Sequence, residues 1–254
     1  MGNRMVTWAS DLRSTVKPAP QAWPCLGREE VHLWRAPLDL DREPLARLRE
    51  VLSSEERALA LTFRFQWARD RFVASRGWLR LLLGRYLGMP PSRLRFVIQT
   101  NGKPALAEPP TEVRFNLALA GPLALMAVAE GREVGIGIEP VDEPSLGPGV
   151  TSQPLPAPSP QAPTRLEGKQ ARMASEGRAR RGAYHRARGW APSAGDRRGS
   201  VLSCPEDDVE PSGWSFHAVD AGPGYAGALA LEGTVRLVRL LDCDPGWLHS
   251  RLPD

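Results

Sequence analysis

The sequence predicts an α/β fold of the α+β kind, in which helices pack on small, mostly antiparallel sheets. Three observations along its 254 residues predict this class. Apolar side chains recur at helical spacing between residues 42 and 88, short β-rich runs follow up to residue 140, and further β-rich runs occur near the end of the chain. With 42% hydrophobic residues, the chain can bury a real core.

The first part of the chain begins with a strand and continues with helices. Val31–Leu38 alternates well enough for a strand, whereas the stretch after it has apolar residues three and four apart. Ser53 and Glu56 predict a capping box at the start of one helix. A long helix is predicted from about residue 67 to residue 87, because Gly88 is a suitable C-cap.

Strands follow this helical region. A β-rich run covers residues 93–100, and the Asn-Gly pair in Asn101–Pro104 predicts a hairpin turn after it. Three more runs have the same character: residues 113–119, 123–130 and 133–140. Near the end, residues 213–240 predict three strands, with Gly222–Gly224 turning between the first two.

Between these two groups the composition changes abruptly. Seven prolines fall within Pro144–Pro163, a density that no helix or central strand tolerates. Residues 164–199 are then basic, with ten Lys or Arg against three Asp or Glu. We therefore expect a loose leader in residues 1–28 and an N-terminal lobe in residues 29–140. Residues 141–200 are expected to be a low-order segment, Pro-rich and then basic, that makes a disordered insert in the second lobe. Residues 201–254 are expected to be the remnant of a C-terminal lobe.

Composition also restricts the class of protein. No apolar run approaches the roughly 20 residues that a membrane-spanning helix needs, and the first residues lack the apolar stretch of a secretory signal. Three scattered cysteines give neither a zinc-ligand spacing nor a disulfide framework. We expect a cytoplasmic protein without a membrane partner.

Four motifs occur in an order and spacing typical of one enzyme family. They are NGKPAL, FNLALAGPLALMAVA, EVGIGIE and the late WSFHAVDAGPGYAGALAL, and RFVASRGWLRLLLGRYLG is similar to the family's N-terminal helix. Over about residues 30–140 and 178–240 the chain resembles the 4′-phosphopantetheinyl transferases of the larger, two-lobed, surfactin-synthetase-activating type. The resemblance implies two pseudo-symmetric lobes, each a small sheet with a packed helix, and a ligand cleft between them.

The resemblance also implies a reaction. Members of the family are holo-acyl-carrier-protein synthases, which move phosphopantetheine from the substrate coenzyme A to a serine of an acyl or peptidyl carrier protein. Mg²⁺ neutralises charge on the pyrophosphate, and Lys and Arg side chains hold the remaining phosphates. The family holds the metal with the Asp and Glu of a G-[IV]-D-[IVL]-E strand and with the Glu of a W-x-x-K-E-A-x-x-K helix. The Asp and Glu, two apart on a strand, face the same side.

Several of these positions carry other residues here. The strand is GIGIE, so Glu139 matches the metal-binding Glu, whereas Gly137 stands at the Asp position. The helix motif survives in outline as RARRGAYHRARG, with Gly182 at the Glu position and Arg178 at the Trp position. The family's F-N-x-S-H-S is FNLALA, and Leu119 stands where a His would contact coenzyme A phosphate. The resemblance thus implies that Glu139 is a metal ligand that has lost its two carboxylate partners.

Other matched positions keep side chains that suit a phosphate ligand. The resemblance implies that Arg71, Lys103 and Asn116 bind coenzyme A, and that Arg186 occupies the position of a catalytic Lys. Each has a plain structural alternative. Lys103 is also typical of an exposed turn, Asn116 can orient backbone, and Arg71 can solvate a helix face among neighbouring arginines. The corresponding alternative for Glu139 is a solvated carboxylate at the end of a strand.

Two functional hypotheses stay open at this level. One is an active transferase, and the other is a catalytically impaired or inactive relative that binds only coenzyme A or a carrier protein, or is the product of gene decay. If activity is lost, rescue by Gly137→Asp together with Gly182→Glu would show that the scaffold is intact and that only the metal ligands are lost. A nucleic-acid-binding role for the basic run ranks last, because that run contains only Tyr184 and Trp190 as aromatic residues.

Overall fold

The computed structural model describes residues 24–141, 165–189 and 212–249. Its helices are α1 (Arg42–Glu50), α2 (Ser54–Leu61), α3 (Gln66–Leu87) and α4 (Arg165–Arg188). Its strands are β1 (Glu30–Pro37), β2 (Arg95–Ile98), β3 (Pro104–Glu108), β4 (Val113–Ala120), β5 (Leu123–Glu130), β6 (Val134–Pro140), β7 (Trp214–Val219), β8 (Tyr225–Glu232) and β9 (Leu237–Asp242). Short 3-10 turns lie at Pro91–Arg93 and Pro245–His249.

The helix boundaries follow the sequence signals closely. Ser53 and Glu56 form the predicted capping box at the start of α2, since each side chain accepts a hydrogen bond from the other residue's backbone N–H. α3 ends at Gly88, whose φ of 61° is the left-handed conformation that favours glycine. The predicted helix ends are therefore confirmed.

The first sheet has the strand order β4-β5-β1-β9. β1 pairs antiparallel with β5, whereas it pairs parallel with β9 from the far end of the chain. Trp34 and Met126 of this sheet are buried with Trp78 of α3, whose indole N–H donates to the Pro37 carbonyl at 3.0 Å. Burial of such large side chains contributes roughly 1.5–3 kcal/mol each, which fixes the helical layer on the sheet.

A buried arginine also holds this layer together. Arg80 of α3 is only 3% exposed, and its guanidinium donates to the Glu56 carboxylate and to the Pro91 and Leu94 carbonyls. Arg80 therefore lies in the protein interior, and the arginines of α3 do not all extend into solvent as they would on a surface helix. The hairpin β2–β3 follows, with Gly102 in its turn at φ 82°, as the Asn-Gly signal predicts.

The second sheet has the order β6-β8-β7, and α4 packs across it. β6 pairs antiparallel with β8 along its whole length. The sequence places β6 in an N-terminal lobe that ends at residue 140, whereas the structure makes it a strand of this second sheet. The predicted fold class, with small antiparallel sheets and packed helices, is confirmed.

α4 corrects the expectation of low order for residues 165–188 of the segment 141–200. Residues 165–188 form a helix, because small side chains recur at every fourth position and together make a buried stripe. The members of that stripe are Ser175, Ala179, Ala183 and Ala187. Alanine and serine give a weak apolar signal among so many arginines, so the helix is difficult to find from periodicity alone. The Pro-rich run 144–163 lies outside the described residues.

A membrane-spanning helix is not found in the described part of the chain. None of its helices is both long enough and apolar enough to cross a bilayer.

Candidate functional site

The motif-bearing strand β6 and the motif-bearing helix α4 meet at close range. A Cβ atom added to Gly135 would lie 2.5 Å from the Ala187 nitrogen, and one added to Gly137 would lie 2.8 Å from the carbonyl carbon of Ala179. In both cases a backbone carbonyl oxygen of α4 is closer still. The helix backbone therefore rests on the strand backbone, and only glycine fits at these two strand positions.

Glu139 lies at the end of β6, where α4 presents an arginine to it. The Glu139 carboxylate is 31% exposed and stands 3.8 Å from Nε of Arg178. Arg178 donates from Nη2 to Ser175 Oγ at 2.8 Å, and Ser175 donates in turn to the Pro140 carbonyl at 2.9 Å. This chain of hydrogen bonds fixes the guanidinium beside the end of the strand. Among the described residues, Nε of Arg178 is buried without a hydrogen-bond partner.

A second arginine approaches β6 from the same helix, two turns further along. Arg186 donates from Nη1 to the Ile136 carbonyl at 3.1 Å. Burial lowers the pKa of this guanidinium, and the nearby charge of Glu139 opposes that shift. A Cβ on Gly182 would come within 2.8 Å of Nη1 of Arg186, so the absence of a side chain at 182 gives the arginine its place.

These residues do not fit the Mg²⁺ that the family resemblance implies. Mg²⁺ requires near-octahedral oxygen coordination and is usually held by carboxylates. Here Glu139 supplies one carboxylate and faces Arg178, while the Asp position is Gly137 with helix backbone against it. Across residues 24–141, 165–189 and 212–249, no group of three or more His, Cys, Asp or Glu is arranged to hold a metal ion. The charge that surrounds Glu139 is positive.

Lys103 is buried rather than exposed in its turn. Its ammonium group donates to the Glu133 carboxylate at 2.5 Å, to the Val134 carbonyl at 2.8 Å and to the Ala187 carbonyl at 3.1 Å. An ammonium group has three N–H donors, and these three acceptors use all of them. Burial lowers the pKa of Lys103, and the Glu133 carboxylate opposes the shift. Lys103 thus ties the β2–β3 turn to the start of β6 and to the last turn of α4.

Asn116 joins the two sheets. Its Oδ1 accepts a hydrogen bond from the Ile136 N–H at 3.0 Å, and the side chain is only 6% exposed. The Ile136 backbone therefore donates its N–H to Asn116 and accepts a hydrogen bond from Arg186 at its carbonyl. Asn116 therefore orients the backbone in the middle of β6, which is the structural alternative given for this residue.

Arg71 lies on α3, in the other layer. Its guanidinium makes two parallel hydrogen bonds to the Asp39 carboxylate, at 2.6 and 2.8 Å, and lies over the Trp67 ring at 5.4 Å from the centroid. The Asp39 carboxylate raises the pKa of Arg71, and Tyr225 acts in the same direction.

The structure therefore brings Asn116 of β4 and Arg186 of α4 to Ile136 in the middle of β6, with Lys103 bonded at Val134 near the start of that strand and Glu139 near its end. Leu119, at the His position, is half exposed and offers no hydrogen bond to a phosphate. Sequence reasoning missed Arg178, because it counted that position only as a lost Trp. The signal that would have found it is the helical spacing of Arg178 and Arg186, eight residues apart and so on one face.

Comparison with known proteins finds relatives that share one named activity. The chain is 43% identical to the 4′-phosphopantetheinyl transferase HetI of Nostoc sp. over 130 residues, which are 50% of this chain and 54% of that protein. A Synechocystis sp. protein provisionally named for the same activity, slr0495, is 30% identical over 48% of this chain and 45% of its own. A phosphopantetheinyl transferase of Thraustochytrium sp. is 33% identical over 43% of this chain and 37% of its own. The chain thus matches about half the length of these relatives or less, and no family model matches it.

Proposed function

We propose that this chain, a member of the 4′-phosphopantetheinyl transferase superfamily, moves phosphopantetheine from coenzyme A to a serine of an acyl or peptidyl carrier protein. The observation that carries the proposal is the 43% identity to a named 4′-phosphopantetheinyl transferase over half of the chain. The position of Glu139 and Arg186 on a packed strand and helix supports it, because both residues match the family's motif positions. Coenzyme A and carrier proteins meet in the cytoplasm, where we place the reaction.

The reaction makes one bond and breaks one. The serine oxygen attacks the β-phosphate of coenzyme A, the bond from that phosphorus to the 3′,5′-ADP oxygen breaks, and the serine proton passes to a base. In this proposal the base is Glu139, the carboxylate that reaches the surface at the end of β6 with 31% exposure. Negative charge that develops on the phosphate oxygens is stabilised in this proposal by the guanidinium groups of Arg178, 3.8 Å from this carboxylate, and of Arg186, which is bonded to the Ile136 carbonyl.

Arg71 is proposed to hold the nucleotide phosphate. Its bidentate bond to Asp39 fixes the plane of the guanidinium while the side chain remains 27% exposed. A planar, oriented guanidinium is well suited to a phosphate. Lys103 and Asn116 support binding in this proposal by positioning β6, since their polar groups are bonded to protein atoms.

A direct assay tests the proposal. The protein is incubated with coenzyme A and MgCl₂ and with a panel of apo acyl and peptidyl carrier proteins, and each carrier is weighed by mass spectrometry. We expect one carrier to gain one phosphopantetheine, and we expect Arg186→Gln to slow the gain by about tenfold or more. Arg172→Gln is the matched control on the same helix, because that arginine is exposed and pairs with Glu176 on the same helix.

The alternative hypothesis predicts a different pair of results. An impaired relative would bind coenzyme A, seen as a rise in melting temperature, yet no carrier would gain mass. If neither the melting temperature nor any carrier mass changes, both the transferase and the binding-only hypotheses are wrong.

A further inference from the structure

We propose that this chain binds the pyrophosphate of coenzyme A without a divalent cation, and that the guanidinium groups of Arg178 and Arg186 take the place of the ion. The inference rests on the proposed function, since it concerns the same substrate and the same site. It differs from the family's use of Mg²⁺, and three features of the structure lead to it.

The first feature is the absence of space for a metal between β6 and α4. A carboxylate at position 137 would have to grow from a Cβ that overlaps the Ala179 carbonyl group. The ligand and the space it needs are therefore both absent, because the helix backbone lies directly on the strand backbone. The buried alanines Ala179 and Ala183, both 0% exposed, make this approach possible.

The second feature is charge. Mg²⁺ brings two positive charges to a pyrophosphate, and Arg178 and Arg186 bring two as well. Both come from α4, and each is anchored by one hydrogen bond, to Ser175 Oγ and to the Ile136 carbonyl respectively. A guanidinium carries five N–H donors in a fixed plane, so anchoring one nitrogen still leaves donors that can meet phosphate oxygens.

The third feature is the environment of the one remaining carboxylate. In a metal site, carboxylates gather to attract the cation. Here Glu139 stands 3.8 Å from Nε of Arg178, so its negative charge is already opposed by a group of the protein itself. Nε of Arg178, the atom at this distance from Glu139, is buried and has no hydrogen-bond partner in the described part of the chain.

Calorimetric titration of coenzyme A into the protein tests the inference, once in buffer with EDTA and once with excess MgCl₂. We expect the dissociation constant to differ by less than about threefold between the two buffers, because the cationic groups are covalently part of the chain. Binding that appears only with MgCl₂, or strengthens more than about tenfold, would overturn the inference and leave the proposed function standing. Absence of binding in both buffers would overturn both.

Two substitutions assign the effect to residues. In EDTA, Arg178→Gln is expected to weaken coenzyme A binding by about tenfold, the scale of a lost charge-assisted hydrogen bond. Arg172→Gln on the same helix is expected to leave binding unchanged, because its guanidinium is 58% exposed and pairs with Glu176. Equal effects of the two substitutions would contradict the assignment. Circular dichroism spectra and melting curves establish that both variants are folded.

Glu139→Gln gives a result whose sign separates the two kinds of site. If Glu139 were a metal ligand, its loss would weaken coenzyme A binding in MgCl₂. In the guanidinium site the same substitution removes a negative charge beside the pyrophosphate and releases Arg178, so binding is expected to hold or to strengthen in both buffers. A loss of affinity confined to the MgCl₂ buffer would overturn the inference.

Discussion

The carbonyl group of Ala179 in α4 lies directly against Gly137 of β6, at a separation that excludes a Cβ atom on the glycine. This contact decides how the site differs from that of the family. It converts the expected place of a metal-binding Asp into a backbone-to-backbone contact. It also argues against rescue of a metal site by an Asp at position 137, because the new side chain would meet the Ala179 carbonyl group.

Gly137→Asp is expected to destabilise the protein rather than to repair it. The new side chain must push α4 away from β6, and such overpacking costs about 2 kcal/mol or more of unfolding free energy. Urea denaturation measures the change. Gly168→Asp is the matched control on α4, because a Cβ at Gly168 meets nothing within 4 Å. Equal stability of the two variants, with a melting temperature of Gly137→Asp that rises in MgCl₂, would contradict the expectation.

Lys103→Met is expected to act on stability before it acts on ligand binding. The substitution leaves the Val134 and Ala187 carbonyls and the Glu133 carboxylate without their shared donor. Loss of a buried cation with such partners costs about 2–4 kcal/mol of unfolding free energy. Lys169→Met, at an exposed lysine of α4, is expected to cost almost nothing. If Lys103→Met weakened coenzyme A binding and left stability equal to that of the control, the lysine would be a ligand contact instead.

Asn116→Ala is expected to loosen the connection between the two sheets. It removes the acceptor of the Ile136 N–H, which is buried, and so costs about 1–3 kcal/mol. Asn101→Ala is the comparison, because the Asn101 side chain is exposed and donates to the Arg188 carbonyl at 3.0 Å. Amide hydrogen exchange checks the site of the effect: faster exchange is expected at Ile136 in the first variant alone. Unchanged exchange at Ile136 would show that the hydrogen bond from its N–H to Asn116 contributes little to the free energy of unfolding.

Stability is expected to fall on mild acidification because of His32. This imidazole is buried. Its Nδ1 shares a hydrogen bond of 2.6 Å with the Tyr86 hydroxyl, and its Nε2 lies 3.3 Å from the Glu30 carboxylate. Burial lowers its pKa below the ordinary value of 6.5, with a smaller lowering from Arg239, while Glu30 opposes the shift. In the unfolded chain, His32 therefore becomes protonated near pH 6.5, whereas in the folded protein it stays neutral until a lower pH. The free energy of unfolding therefore declines as the pH falls below 6.5.

Urea denaturation at pH 7.5, 6.5 and 5.5 measures this decline. In His32→Gln the decline is expected to be shallower. It does not vanish, because burial also lowers the pKa of His185 and so contributes to the decline in the same direction. An equally steep decline in the variant and the parent would remove His32 as the cause.

Much of the fold was accessible from local sequence patterns. The capping box of Ser53 and Glu56, the left-handed end of α3 at Gly88 and the Asn-Gly hairpin are short-range features, and each follows from the residues within a few positions. The helical course of residues 165–188 was not accessible in this way. Its order comes from an alanine stripe that has meaning only when the glycines of β6 lie opposite it.

The roles of the site residues divide in the same manner. The sequence by itself determined the resemblance to phosphopantetheinyl transferases and the places of Glu139, Asn116 and Arg186 in the matching motifs, because those depend on residue order alone. Only the tertiary structure decided that the Lys103 ammonium group donates to three protein acceptors and that Arg178 faces Glu139. The physical reason is distance: whether a charged side chain meets a ligand or a protein group depends on how closely two elements approach, and here Gly137 and Ala179 set that approach.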